Sequence, residues 1–228
     1  MTILSDIYFL AKKDLTLEFR KKETLFAMGL FSLASVLIFS TLFNLADISQ
    51  ETRETITAAS LWFIITFSVM LGVTSIFLRE VRKSTVDALL SLAIKPQAIF
   101  LAKLVYLCAI LAIIEVITIA LAIVFMRIGF SNQAMLFGAV LVIGSFDLAI
   151  GGCIVSFLTI YAKSKTLAVP ILFFPIVLPS ILIATQATSS LVLYNDSGFV
   201  TNNILILFFH AILLLTLALA ITDDLINQ

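Results

Sequence analysis

Charge is scarce in this chain. Of 228 residues, 12% are Asp, Glu, Lys or Arg and 61% are apolar, with a mean hydropathy of +1.18. An ordinary soluble domain carries about twice that share of charge, so that class is excluded. Fourteen basic and fourteen acidic residues cancel, which removes any bulk attraction to nucleic acid. Histidine and tryptophan occur once each. The two cysteines, Cys108 and Cys153, both lie inside apolar runs without metal-type spacing; they read as small core residues, not as a disulfide or metal framework. No GxxxxGK[ST], HExxH, CxxC or GxSxG occurs. The chain therefore has no P-loop, zincin, dithiol or nucleophile-elbow motif of its own, and it is expected to be non-catalytic and to bind no cofactor through its own motifs.

What is present is oil in lengths that fit a bilayer. Six apolar runs lie at about 25–45, 57–78, 98–126, 134–161, 167–187 and 203–222, each near the ~20 residues a helix needs to cross the hydrocarbon. The third and fourth are long enough to tilt or project. The expected fold is all-α, a single polytopic membrane domain over 1–228. Only the connections near 47–55 and 188–202 leave room for a small structured element. No internal repeat aligns the two halves, so an inverted-repeat transporter is not supported.

Residues 3–22 lack the basic n-region, apolar core and small-residue cleavage site of a signal peptide. Leu4, Tyr8, Ala11, Leu15 and Phe19 recur at helical spacing, with Asp6 and Lys13 opposite and a basic end at Arg20, Lys21 and Lys22. An amphipathic helix lying in the membrane interface is expected, a soluble amphipathic helix being the alternative. Lys and Arg are unevenly distributed. Twelve fall before the first run, between the second run and the start of the third, or between the fourth and fifth; only Arg53 and Arg127 fall on the other side. That bias places both termini and residues 79–103 in the cytoplasm.

Residues 79–103 form the longest charged interruption. Within it Ser84 reads as a helix cap and Asp87 suits the first turn. Val86, Leu89, Leu90, Ala93 and Ile94 then share one face, and Pro96 limits continuation. The segment is either a solvated loop with one helical turn or a short helix that docks a soluble partner.

Few polar groups lie within the spans. Glu115 and Asp147 are candidates for proton carriers, substrate contacts or protonated helix–helix hydrogen-bond donors, since charge at bilayer depth costs at least ~2.5–3.5 kcal/mol. No intramembrane Lys or Arg is available to pair with either. Gly144, Gly151 and Gly152 around Asp147 allow close helix packing. His210 is an axial haem ligand, a hydrogen-bond partner for a neighbouring helix, or a residue near a membrane interface. Pro170, Pro175 and Pro179 crowd the fifth run and point to a kinked or broken helix on the moving or pathway-lining side of the bundle.

Two stretches carry a family resemblance. STVDALLSLAIKPQAIFLAK (84–103) is similar to the Gly-Ser/Thr-Leu-Glu-Gln-Leu-Leu segment of the haem exporter protein B (CcmB) family, and FPIVLPSILIATQAT (174–188) resembles its double-proline fifth span. Ser84, Asp87 and Ala93 stand where that family usually has Gly, Glu and Pro. The resemblance implies an ABC-2 type permease with six spans, powered by a separate ABC ATPase that docks on the helix at 84–94, and paired with a second permease copy. It further implies haem-handling partners (the C and D subunits and the haem chaperone E), haem as a substrate of the complex, and a prokaryotic cytoplasmic membrane in preference to the mitochondrial inner membrane. Two alternatives stay open: a scaffold that couples ATP hydrolysis to release of the haem chaperone, and an ABC-2 exporter of another hydrophobic substrate.

Overall fold

The computed structural model describes residues 3–45, 49–82, 95–126, 133–159, 165–193 and 197–226. These form seven helices: α1 (Ile3–Lys21), α2 (Glu23–Leu45), α3 (Gln50–Arg82), α4 (Pro96–Met126), α5 (Ala134–Leu158), α6 (Lys165–Leu193) and α7 (Ser197–Ile226). Helices α2 to α7 are each long and apolar enough to cross a membrane, at the six places the sequence indicated. The expected docking helix, with Ser84, Val86, Asp87, Leu89, Leu90, Ala93 and Ile94, lies outside the described residues.

Two expected connections are mostly helix. Helix α3 already begins at Gln50, and α6 and α7 extend to Leu193 and from Ser197, so 188–202 leaves almost no room for a separate element. Polar side chains on these extensions bond their own helix. Thr188 Oγ1 donates to the Ala184 carbonyl at 2.8 Å and Thr201 Oγ1 to the Ser197 carbonyl at 2.7 Å. For the buried Thr188 such back-bonding satisfies a hydroxyl away from water. Pro96 opens α4, as suits a residue that lacks an N–H and has its φ pre-set for a first turn. Lys103 is consequently not a loop charge: it lies two turns inside α4 and is buried.

Helix α5 is the centre of the bundle and packs on α3, α4, α6 and α7, while α2 packs on α3 and α4. Small residues let the central helices approach. A Cβ at Gly144 would collide with the Trp62 ring of α3, one at Gly151 with Val177 of α6 (2.6 Å), and one at Gly152 with Val73 of α3 (2.6 Å). Trp62, wholly buried, donates from Nε1 to Thr188 Oγ1 of α6 at 2.9 Å. Phe31, Phe63, Phe67 and Phe174 carry ring contacts across α2, α3 and α6. Ser32 and Thr118 hydroxyls meet at 2.6 Å between α2 and α4.

Helix α1 lies against α4, with Leu10 and Ala11 packed on Ile99 and Ala102. Its expected apolar stripe lies mostly outward, away from α4. Ala11 is buried, but Leu4, Tyr8 and Phe19 are exposed, and the inward positions include Asp14 and Glu18. The reason is polar pairing: Asp14 Oδ2 meets Lys103 Nζ at 2.7 Å, and the wholly buried Glu18 accepts from Tyr106 Oη at 2.9 Å. The Glu18 carboxylate also accepts from the Thr24 and Leu25 backbone N–H groups at 3.1 and 3.2 Å. It thereby satisfies the first donors of α2, the work of a helix cap performed from the preceding helix. Lys22 makes the turn between them in the left-handed region, φ 56°, and its N–H closes α1 onto the Glu18 carbonyl at 2.6 Å.

Candidate functional site

The polar side chains singled out from the sequence fall into two groups on opposite flanks of α5. The first is a three-helix cluster. Asp147 of α5 is fully buried, and its Oδ2 lies 2.8 Å from Nδ1 of His210 on α7. Ser180 Oγ, on α6, lies 3.3 Å from the same nitrogen. All three sit near the midpoints of their helices, so the cluster belongs to the middle of the bundle. Asp147 Oδ1 is buried and finds no hydrogen-bond partner among the described residues.

The chemistry of this cluster follows from its solvent. An Asp–His contact holding one proton carries no net charge, the arrangement an apolar interior favours over either ion alone. Each interhelical hydrogen bond in a membrane contributes about 0.6 kcal/mol on average. The cluster therefore registers α5, α6 and α7 against one another. His210 thus forms a hydrogen bond between helices. Histidine supplies the partner for Asp147.

The second group joins α4 to α5: Ser145 Oγ donates to Glu115 Oε1. Glu115 and Asp147 thus have different partners. Among the described residues no group of three His, Cys, Asp or Glu side chains could hold a metal ion.

Pro170, Pro175 and Pro179 all lie inside α6, which runs without interruption from Lys165 to Leu193. Of the two expected forms, kinked or broken, the broken helix is absent. Pro175 and Pro179 face outward from the single chain. Pro179 immediately precedes Ser180, so the side-chain contact to His210 sits where the α6 backbone lacks one donor.

Sequence reasoning missed Ser180 and Ser145, because a serine in an apolar run carries no signal of a partner on another helix. It also missed Asp14 and Glu18, which look like ordinary members of an amphipathic polar face. The only available hint was their i, i+4 spacing beside Ala11 on one side of α1.

Compared with known families, the CcmB protein family matches residues 5–224, from the first turn of α1 to the end of α7. No curated protein sequence matches the chain. The match spans the first helix, all six long apolar helices and the mid-bundle cluster, and on this ground the chain belongs to the CcmB family of membrane proteins.

Proposed function

We propose that the chain is the permease subunit of an ABC transporter complex that handles haem in cytochrome c maturation, with ATP hydrolysis supplied by a separate ATPase. The observation that carries this reading is the CcmB match across residues 5–224 of a six-span bundle. The chain works as one permease domain in a prokaryotic cytoplasmic membrane, with both termini and residues 79–103 on the cytoplasmic side, as its Lys and Arg distribution favours. The ATPase docks on 84–94. That segment leads directly into α4, and α4 is fastened to α1 through Lys103–Asp14 and Tyr106–Glu18, so motion delivered there has a rigid path into the bundle. A second permease copy, the C and D subunits and the haem chaperone E complete the assembly.

A second reading draws support from the packing. Trp62, Phe100, Phe173 and Ile150 fill the interior of the single chain and are fully buried. A close-packed interior suits a scaffold that couples ATP hydrolysis to release of the haem chaperone without itself moving haem. It suits an ABC-2 exporter of another hydrophobic substrate only if the route runs between copies. Affinity purification in mild detergent, with identification of co-purifying chains and a haem absorbance spectrum, tests both. An ATPase and haem-handling subunits should be retained. Haem that stays with this chain after those subunits are stripped favours transport, and haem that leaves with them favours the scaffold. Absence of any ATPase would overturn the proposal.

A further inference from the structure

The internal contacts of α1 change the charge it presents to its surroundings. From Ile3 to Lys21 the helix holds four bases, Lys12, Lys13, Arg20 and Lys21, against three acids, Asp6, Asp14 and Glu18, a formal excess of one positive charge. Two of those acids are held inside the protein. Asp14 is paired with Lys103 of α4 at 2.7 Å, and Glu18 is fully buried, capping α2 and accepting from Tyr106. Lys12, Arg20 and Lys21 are exposed, and Lys13 is half-buried with its Nζ 3.4 Å from Asp14. Against the three exposed bases only Asp6 is left of the acids. The outer surface is therefore more cationic than the helix sequence.

Beside these bases α1 presents large apolar side chains that the bundle does not cover. Leu4 is 78% exposed, Phe9 70%, Tyr8 66% and Phe19 48%. Lys12 Nζ stands over the Tyr8 ring, 5.5 Å from its centroid, so an aromatic group and a cation share one location. The helix is joined to the first span by the single-residue turn at Lys22. That connection keeps α1 at the bundle end, where headgroups would lie.

We propose that this outer face of α1 is a docking surface for anionic phospholipid headgroups of the leaflet in which the protein sits. Its aromatic and aliphatic side chains enter the acyl boundary, and Lys12, Arg20 and Lys21 hold the phosphates. Apolar surface alone would bind any bilayer. The excess of positive charge, enlarged by drawing Asp14 and Glu18 inward, gives a preference for negative lipid. Recognition is electrostatic and sequence-built, so it weakens as salt screens it.

The experiment uses the full chain in nanodiscs of phosphatidylcholine doped with phosphatidylglycerol. A fluorophore is attached at exposed Thr16 through Thr16→Cys, with Cys108 and Cys153 replaced by Ala. Quenching by brominated phosphatidylglycerol is compared with quenching by brominated phosphatidylcholine at equal doping. The expected result is stronger quenching by the anionic lipid, reduced roughly tenfold in relative preference when Arg20 and Lys21 are both changed to Gln. Raising the salt should reduce the preference in the unaltered helix, a measurement that needs no further variant. Equal quenching by the two lipids at low salt, or a preference unmoved by both salt and substitution, would overturn the proposal. Its outcome is independent of the haem assignment, since neither substrate nor ATPase is present.

Discussion

Asp147 of α5 and His210 of α7, separated by 63 positions in the chain, meet at 2.8 Å near the midpoints of their helices. One is the costliest side chain of its span to bury alone, and the other is the only histidine in the protein. Each supplies the other with a polar partner inside the bundle, and Ser180 brings α6 to the same point. Asp147→Leu should therefore strand the imidazole and lower stability by about 1–2 kcal/mol, read as a lower unfolding midpoint in detergent. Asp147→Asn should stay near wild type in both stability and cytochrome c maturation, because an amide still bonds the ring. An Asn variant that assembles normally yet supports no maturation would show that the carboxylate must change charge.

The elbow between α1 and α2 makes a second case. Glu18→Ala removes the acceptor for Thr24 N–H, Leu25 N–H and Tyr106 Oη at once, at a cost of about 2–3 kcal/mol. Glu18→Gln should cost less, since its amide oxygen still accepts. Trypsin cleavage at Lys21 and Lys22 reads the loosening directly, and an unchanged rate in the Ala variant would remove this carboxylate from its structural role.

Two glycines of α5 separate packing from propensity. A methyl at Gly144 runs into the Trp62 ring, whereas one at Gly138 has nothing within 4 Å. Gly144→Ala should destabilise by about 1–3 kcal/mol through overpacking. Gly138→Ala should be neutral or stabilising by up to about 1 kcal/mol. Equal unfolding midpoints for the two variants would contradict the α3–α5 contact.

Orientation is open to labelling. Ser49 and Ser197 are exposed at one end of the bundle, and Lys95 is exposed at the other. Cysteines at 49 and 197 should react with an impermeant thiol reagent on intact cells, and one at 95 should react only after lysis. The reverse pattern would invert the charge-based assignment.

The proposed docking of an ATPase on 84–94 is open to substitution. If Leu89 and Leu90 anchor the helix as proposed, each contributes roughly 1.5–3 kcal/mol, and replacing both by Asp should lower affinity for the ATPase at least about a hundredfold. The variant should insert and accumulate normally yet lose the ATPase in a pull-down. Retention at wild-type yield would assign docking to another element.

Six apolar runs, their lengths and the uneven Lys and Arg distribution were enough to define a six-span membrane protein. The bilayer dictates those features locally: each run must be long enough to cross, and each flank responds to its own charges. The rare polar residues were visible for the same reason, since Glu115, Asp147 and His210 stand out in oil. Their partners were not visible. Pairing Asp147 with His210 and Ser180, or Glu18 with Tyr106, depends on which helices are neighbours and how each is rotated. That rotation is set by contacts such as Gly144 under Trp62 and Gly152 against Val73, far apart in the chain. The inward face of α1 depended on them most. Its apolar stripe marked Leu4, Tyr8 and Phe19, which lie outward, but not the bonds that Asp14 and Glu18 make to α4 and α2. A buried carboxylate without a partner is costly, so the inward face of α1 is fixed by which groups of α4 and α2 lie opposite Asp14 and Glu18, and only the tertiary structure decides that.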